Sequence, residues 1–303
     1  MKSTSVRRMT LSTAVVTALA AVAACGSPGP SGDGSAGGKA AKEGATRVSP
    51  VAALRSAEKS TAGAESAKVR STTTVGSVMS MTADGSLDWG DGITGTLTLT
   101  YTGGTAADTM RRLGSASMQA RYLSDAYYAG VSDTFAEKAG GKHWIRYAYD
   151  DLAGLGGSSG VYLKDQMRTS TPDQSVKLLL ASGDVRKVGE EKVSGRNTTH
   201  YAGTVEVADL VTRGSHLDAS RLADLKKQLD QAGITTETVD IWVDDQNLLV
   251  KKMEKGDTAN GTMTSTAYYS DYGVRVSVQE PPAADTEDFK ALIAQQGGSG
   301  PAP

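Results

Sequence analysis

From 93 to 101 the chain alternates without a break, with Ile93, Gly95, Leu97, Leu99 and Tyr101 on one side and Thr94, Thr96, Thr98 and Thr100 on the other. A strict period of two fits an extended strand and no helix, because only a strand sends successive side chains to opposite faces. One apolar face and one threonine face make it a half-buried antiparallel strand. Runs of the same kind recur at 68–81, 117–123, 126–131, 143–147, 199–207, 238–243, 248–255, 262–269 and 274–279, separated by Gly, Asp and Asn. Many short strands between turn residues predict an antiparallel sheet or open barrel rather than alternating βα units.

Helix signals are few. Ser49 before Pro50 supplies an N-cap and a first-turn proline, and the pattern through Val51, Leu54, Ala57 and Glu58 runs to about Ala62. Thr171 before Pro172 opens a second helix through Val176 to Leu180, ahead of Gly183. A third is expected at 218–232, with Leu222, Leu225 and Leu229 in one stripe and Gly233 as its stop. Phe289, Leu292 and Ile293 suggest a short terminal helix. The expectation is a single α+β domain over 47–296, in which helices cover a curved antiparallel sheet, followed by a frayed tail at 297–303.

The single cysteine, Cys25, rules out an internal disulfide, so the domain must be held by core burial alone, which a chain of 303 residues can supply. Its position is informative. Lys2, Arg7 and Arg8 precede an uncharged stretch from Leu11 to Ala21, too short to span a bilayer as a helix. Val22-Ala23-Ala24-Cys25 then resembles a bacterial lipobox, which implies a signal at 1–24 cut before Cys25 and palmitate-type acylation of its thiol. The alternatives are an ordinary small-residue cleavage site and, from Arg7-Arg8, a twin-arginine signal that the following Met9-Thr10-Leu11 fits only partly. The stretch 25–46 is rich in Gly, Ser and Ala and buries nothing, so it reads as a tether with a reach of about 25 Å. Together these place the protein on the extracytoplasmic face of the cell membrane, partnered by the membrane through its N-terminal lipid.

A formal net charge of −2, with no basic run, argues against nucleic acid and against docking on anionic headgroups. Catalytic signatures are sparse. His143 and His200 lie in strand patterns and His216 in a polar loop, none beside a nucleophile motif. Asp240, Asp244 and Asp245 lack calcium-loop spacing and read as a hairpin turn through Asn247, while Glu190-Glu191-Lys192 reads as a solvated edge. No enzyme activity, cofactor or metal is expected.

Tyr127-Tyr128 followed by Gly141-Lys142-His143-Trp144-Ile145 resembles the paired strands of the LppX/LprG lipoprotein family of actinobacteria. The stretch 172–207 is similar to that family's short helix, Gly-Glu strand and Thr-His-Tyr strand. Ile241-Trp242-Val243-Asp244 with Leu249-Val250-Lys251-Lys252, and Tyr269-Ser270-Asp271-Tyr272-Gly273 with Pro281-Pro282, match two further segments. The resemblance covers roughly 48–290.

It implies a LolA-like half-open barrel that holds acyl chains between sheet and helices, with a lipid or glycolipid as ligand. Such a site needs apolar surface more than polar chemistry, since each methylene removed from water is worth about 0.8 kcal/mol. The candidate lining is Leu54, Met79, Met81, Leu97, Leu99, Met118, Leu178, Ile241, Met253 and Met263, with Met110 and Met167 as further adaptable apolar residues. A cavity is expected near Leu54 and Leu178. Against this stands the plain reading that the same residues fill a core. Two other functions compete: an interaction module that senses a ligand or regulates an unknown protein partner, and a structural surface lipoprotein with no ligand.

Overall fold

A computed structural model describes residues 49–137, 140–155, 171–206 and 235–297, with isolated positions 164, 167, 223 and 233. The signal at 1–24, Cys25, the tether and the helix expected at 218–232 lie outside the described residues, apart from Ala223.

The alternating stretches build strands β1 (Ser66–Val75), β2 (Met79–Asp88), β3 (Thr94–Gly103), β4 (Ser117–Tyr122), β5 (Ala126–Gly130) and β6 (Trp144–Ala148). Strands β7 (Arg186–Val193), β8 (Arg196–Glu206), β9 (Thr236–Asp244), β10 (Leu249–Thr258), β11 (Gly261–Ser270) and β12 (Thr286–Asp288) follow. They form one 12-stranded sheet in the order β12-β6-β5-β4-β3-β2-β1-β11-β10-β9-β8-β7, whose two ends do not pair with each other. A twisted sheet of this many strands curls. The result is a curved, half-open antiparallel barrel, with one parallel pair where β12 joins β6.

Two strand expectations are corrected. The run 68–81 is two strands, because Gly76 turns the chain at φ 44°; a Cβ there would stand 2.1 Å from the Asn260 carbonyl oxygen, so only glycine fits. The run 274–279 joins no ladder. It passes along the sheet instead, and its Gln279 carbonyl accepts a 2.9 Å hydrogen bond from Arg121. The expected solvated edge at Glu190-Glu191-Lys192 is the edge strand β7, whose charges guard unpaired backbone. The Asp244–Asn247 turn also forms: the Asp244 carboxylate accepts from the Gln246 and Leu248 amides at 3.0 and 2.9 Å, and Asn247 takes φ 60°.

Helix α1 (Pro50–Gly63) starts where Ser49 Oγ accepts from the Ala52 amide at 3.2 Å. Three short helices had no clear sequence signal: α2 (Gly104–Arg112), α3 (Asp133–Ala136) and α4 (Tyr149–Leu155). Helix α5 (Pro172–Ala181) follows Thr171 as expected, and α6 (Phe289–Gly297) closes the described chain.

Residues directly opposite across a ladder share a face. The pairs Val69–Tyr269, Val69–Gly85, Gly85–Leu97, Leu97–Ala120, Ala120–Ala129 and Ala129–Ile145 therefore define one face across seven strands. Ala267–Lys252, Lys252–Ile241 and Ile241–Tyr201 extend it through β8. Helices α1 and α5 cover this face, because Leu54, Ala57, Val176, Leu178 and Leu179 form one buried cluster with Val69, Tyr201, Val239, Ile241 and Tyr269.

Candidate functional site

On the covered face, the register brings together Met79, Met81, Leu97, Leu99, Met118, Ile241 and Met263 from five strands. Met253 is a correction: it stands between Lys252 and Glu254 on the outer face and packs beside Val193, Trp242 and Val250. Leu54 and Leu178 do face the sheet. With Ile241 they are fully buried in a closed cluster, so the space around them is filled by side chains.

Among the described residues, a cavity lies over the other half of the same face. It has a volume of about 160 Å³ and is walled by Met110 of α2, Leu113, Met118 of β4, Phe135 of α3, and Ile145 and Tyr147 of β6. Of the candidates from sequence, Met118 alone is in this wall. Met110 carried the signal of an adaptable apolar side chain, but Leu113 caps the end of α2 and Phe135 sits on α3, short helices that no periodicity marks. Ser115, Ser117 and Ser132 also line the cavity. Their hydroxyls are occupied by backbone: Ser115 Oγ donates to the Ser117 carbonyl at 2.7 Å, Ser117 Oγ to that of Leu99 at 3.3 Å, and Ser132 Oγ to that of Leu113. What the cavity presents to a ligand is therefore mainly carbon and the soft sulfurs of Met110 and Met118.

Tyr147 continues the wall into an aromatic row. Tyr122, Tyr127 and Tyr147 are direct cross-strand neighbours on β4, β5 and β6. Their ring centroids are 5.1 and 5.7 Å apart, and Phe289 of α6 lies 4.5 Å beyond Tyr147. Burial pushes the Tyr122 and Tyr147 hydroxyls up to about 12 and Tyr127 well above its ordinary value, the last with help from its tyrosine neighbours.

The opposite half of the face carries charge under α5. Lys252 Nζ lies 2.9 Å from Glu254 Oε1 and 2.9 Å from Ser175 Oγ, and Ser175 Oγ donates to Glu254 Oε1 at 2.6 Å. Glu237, 4% exposed, has an Oε1 without a hydrogen-bond partner among the described residues. Burial, and then the Glu254 charge, raise its carboxyl to about 8 despite the opposing effect of Lys252. Glu237 is therefore protonated at neutral pH.

The histidines are held as packing groups. On the outer face His200 stacks on Trp242 at 4.1 Å and sets Nε2 2.7 Å from Asp240, while Lys251 lies 3.8 Å over the indole's centre. Trp242 Nε1 donates to Glu191 at 2.5 Å. His143 joins Asp285 at 2.8 Å, tying β6 to the segment before β12, and its hydrogen bond to that carboxylate raises its pKa. His216 lies outside the described residues. Asp240 and Asp244 each hold a basic partner, His200 and Arg196, rather than converging on a shared point.

Fold and site together define a half-open antiparallel barrel domain with an apolar cavity on its helix-covered face. No family model matches the chain. It is 50% identical over 312 residues to the "putative lipoprotein SCO4650" of Streptomyces coelicolor, covering 98% of this chain and all of that one. It is also 55% identical over 257 residues, 84% of each chain, to an uncharacterized 31.2 kDa protein of the rplA-rplJ intergenic region of Streptomyces griseus. The chain belongs to the family of these Streptomyces proteins. Among solved structures it is similar to the Mycobacterium tuberculosis lipoprotein LppX, at 16% identity and a TM-score of 0.45, over 76% of this chain and 98% of that one.

Proposed function

We propose that this protein is a lipid-anchored, extracytoplasmic lipoprotein that binds the apolar part of a lipid in the cavity beside Met118 and passes or presents it without chemical change. Cys25 is the anchor in this reading, supported by the lipobox-like Val22-Ala23-Ala24-Cys25 and by the lipoprotein name of the Streptomyces coelicolor relative. The observation that carries it is the cavity of about 160 Å³, walled by Met, Leu, Ile and aromatic carbon. A space of roughly 150 Å³ is enough to take a benzene-sized apolar group. That is room for about six chain carbons, worth about 5 kcal/mol at ~0.8 kcal/mol each. Longer chains would extend along the Met- and Leu-lined face beyond it.

The test is native mass spectrometry of the protein purified from its own host, beside Met118→Trp, whose indole would fill the void. Bound lipid in the native protein and its loss from a still-folded variant are expected. A native protein that arrives free of lipid and takes up none from a total lipid extract would sink the proposal and favour the interaction-module reading.

A further inference from the structure

Charge gathers in one patch of the covered face, beneath the N-terminal half of α5. Glu237 of β9 and Lys252 and Glu254 of β10 point inward there, and α5 packs on both strands. Only one of the two carboxyls is satisfied. Glu254 accepts from Ser175 Oγ and Lys252 Nζ, whereas Glu237 Oε1 has no partner among the described residues. One lysine thus serves two buried carboxyls. The same part of α5 adds to the imbalance: Asp173, 4% exposed, is held by Lys177 at 2.8 Å, Lys177 reaches Glu58 of α1 at 3.9 Å, and Gln174 Oε1 is buried without a partner. Tyr269 of β11 feels Lys252, Glu254 and Asp173 electrostatically. Around Glu237 therefore stand Glu254 and Lys252, and behind them Tyr269, Asp173 and Lys177.

Helix α5 is bound to the sheet in two ways. Val176, Leu178 and Leu179 are fully buried in the apolar cluster, a hold that no proton changes. Ser175 is the polar tie: its hydroxyl lies 2.6 Å from Glu254 and 2.9 Å from Lys252. While Glu237 carries a proton, the Lys252 ammonium stays with Ser175 and Glu254. An ionised Glu237 puts a second negative charge beside one ammonium and competes with Ser175 for it. It also needs water that the closed helix keeps out, because a buried charge without a partner is far costlier than a neutral group.

We infer that Glu237 is a proton-operated latch on α5: protonated, it leaves the helix pinned to β10 through Ser175; ionised, it loosens the N-terminal half of α5 while the strands stay folded. The latch acts whatever the cavity holds. Its sign follows from the carboxyl, raised to about 8 by burial and then by the Glu254 charge, which returns towards 4.5 once water reaches it. The closed helix is favoured in full below about pH 4.5, and that advantage is lost as pH climbs to about 8, by at most about tenfold per pH unit.

Hydrogen exchange of the full chain, read by mass spectrometry at pH 6 and pH 8 and corrected for the chemical pH dependence of exchange, tests this. Protection of the α5 amides from Val176 to Ala181 should fall at least about tenfold between the two, with β2 and β3 unchanged within about twofold. Glu237→Gln keeps the shape and cannot ionise, so its α5 protection should agree at both pH values within about twofold. Ser175→Ala unties the helix without altering a charge. Its α5 should exchange at pH 6 about as fast as the native helix does at pH 8, and it carries the test if Glu237→Gln does not fold. Equal α5 protection at the two pH values in the native protein, a native-like fall in Glu237→Gln, or a Ser175→Ala helix as protected as the native one at pH 6 overturns the inference. So does a loss spread evenly over α5 and the sheet, since Glu237 would then act on the whole domain and not on the helix.

Discussion

Glu237 offers a stability prediction that can be worked through from its surroundings. Its carboxyl is 4% exposed, has one oxygen without a partner among the described residues, and faces the Glu254 charge. Its pKa therefore rises from 4.5 in the unfolded chain to about 8 in the folded one. Between those values the folded state holds a proton that the unfolded state releases, so stability falls as pH rises through the window from about pH 4.5 to 8. At about 1.4 kcal/mol per pH unit the ceiling is about 5 kcal/mol; the electrostatic link to Glu254 and Lys252 shares some of that among the three groups, leaving a few kcal/mol. Glu237→Gln keeps the shape and cannot ionise. Thermal unfolding of both proteins from pH 5 to pH 9 should give similar melting points at pH 5 and a variant more stable by roughly 5–15 °C at pH 9. The other titrating groups are common to both chains and cancel in the difference. Parallel curves across the whole range would refute the reasoning, since Glu237 would then titrate alike folded and unfolded.

Two further outcomes are expected. Leu97 is 7% exposed on the covered face whereas Thr98 is exposed on the other, so Leu97→Asp should destabilise by several kcal/mol in chemical denaturation and Thr98→Asp by less than about 1 kcal/mol; similar losses would contradict the face assignment. Cys25→Ala should move the protein from the membrane fraction to the soluble one, or leave it unprocessed, with its melting temperature unchanged; continued membrane partitioning would remove the acylation site from the account.

Alternation over 93–101 was enough to call the sheet, because burying one face of a strand writes a period of two directly into the sequence. Ser49-Pro50 and Thr171-Pro172 marked α1 and α5 for an equally local reason: capping and a fixed φ are properties of adjacent residues. The run 68–81 misled because the break at Gly76 is enforced by the Asn260 carbonyl, far away in sequence. Register is decided between strands, so the sequence could nominate Met79, Met81, Leu97, Leu99, Met118, Ile241 and Met263 for one face but could not see that Met253, at an odd step from Lys252, turns outward. Nor could it place the cavity. Leu54 and Leu178 meet α1 against α5 closely enough to exclude space, whereas four-residue α3 and the end of α2 hold Phe135 and Leu113 off the sheet beside Met118. Local sequence determined which residues extend, coil or turn, since those preferences act within a few residues. Where carbon is left without neighbours depends on how distant elements fit, and only the tertiary structure decided that.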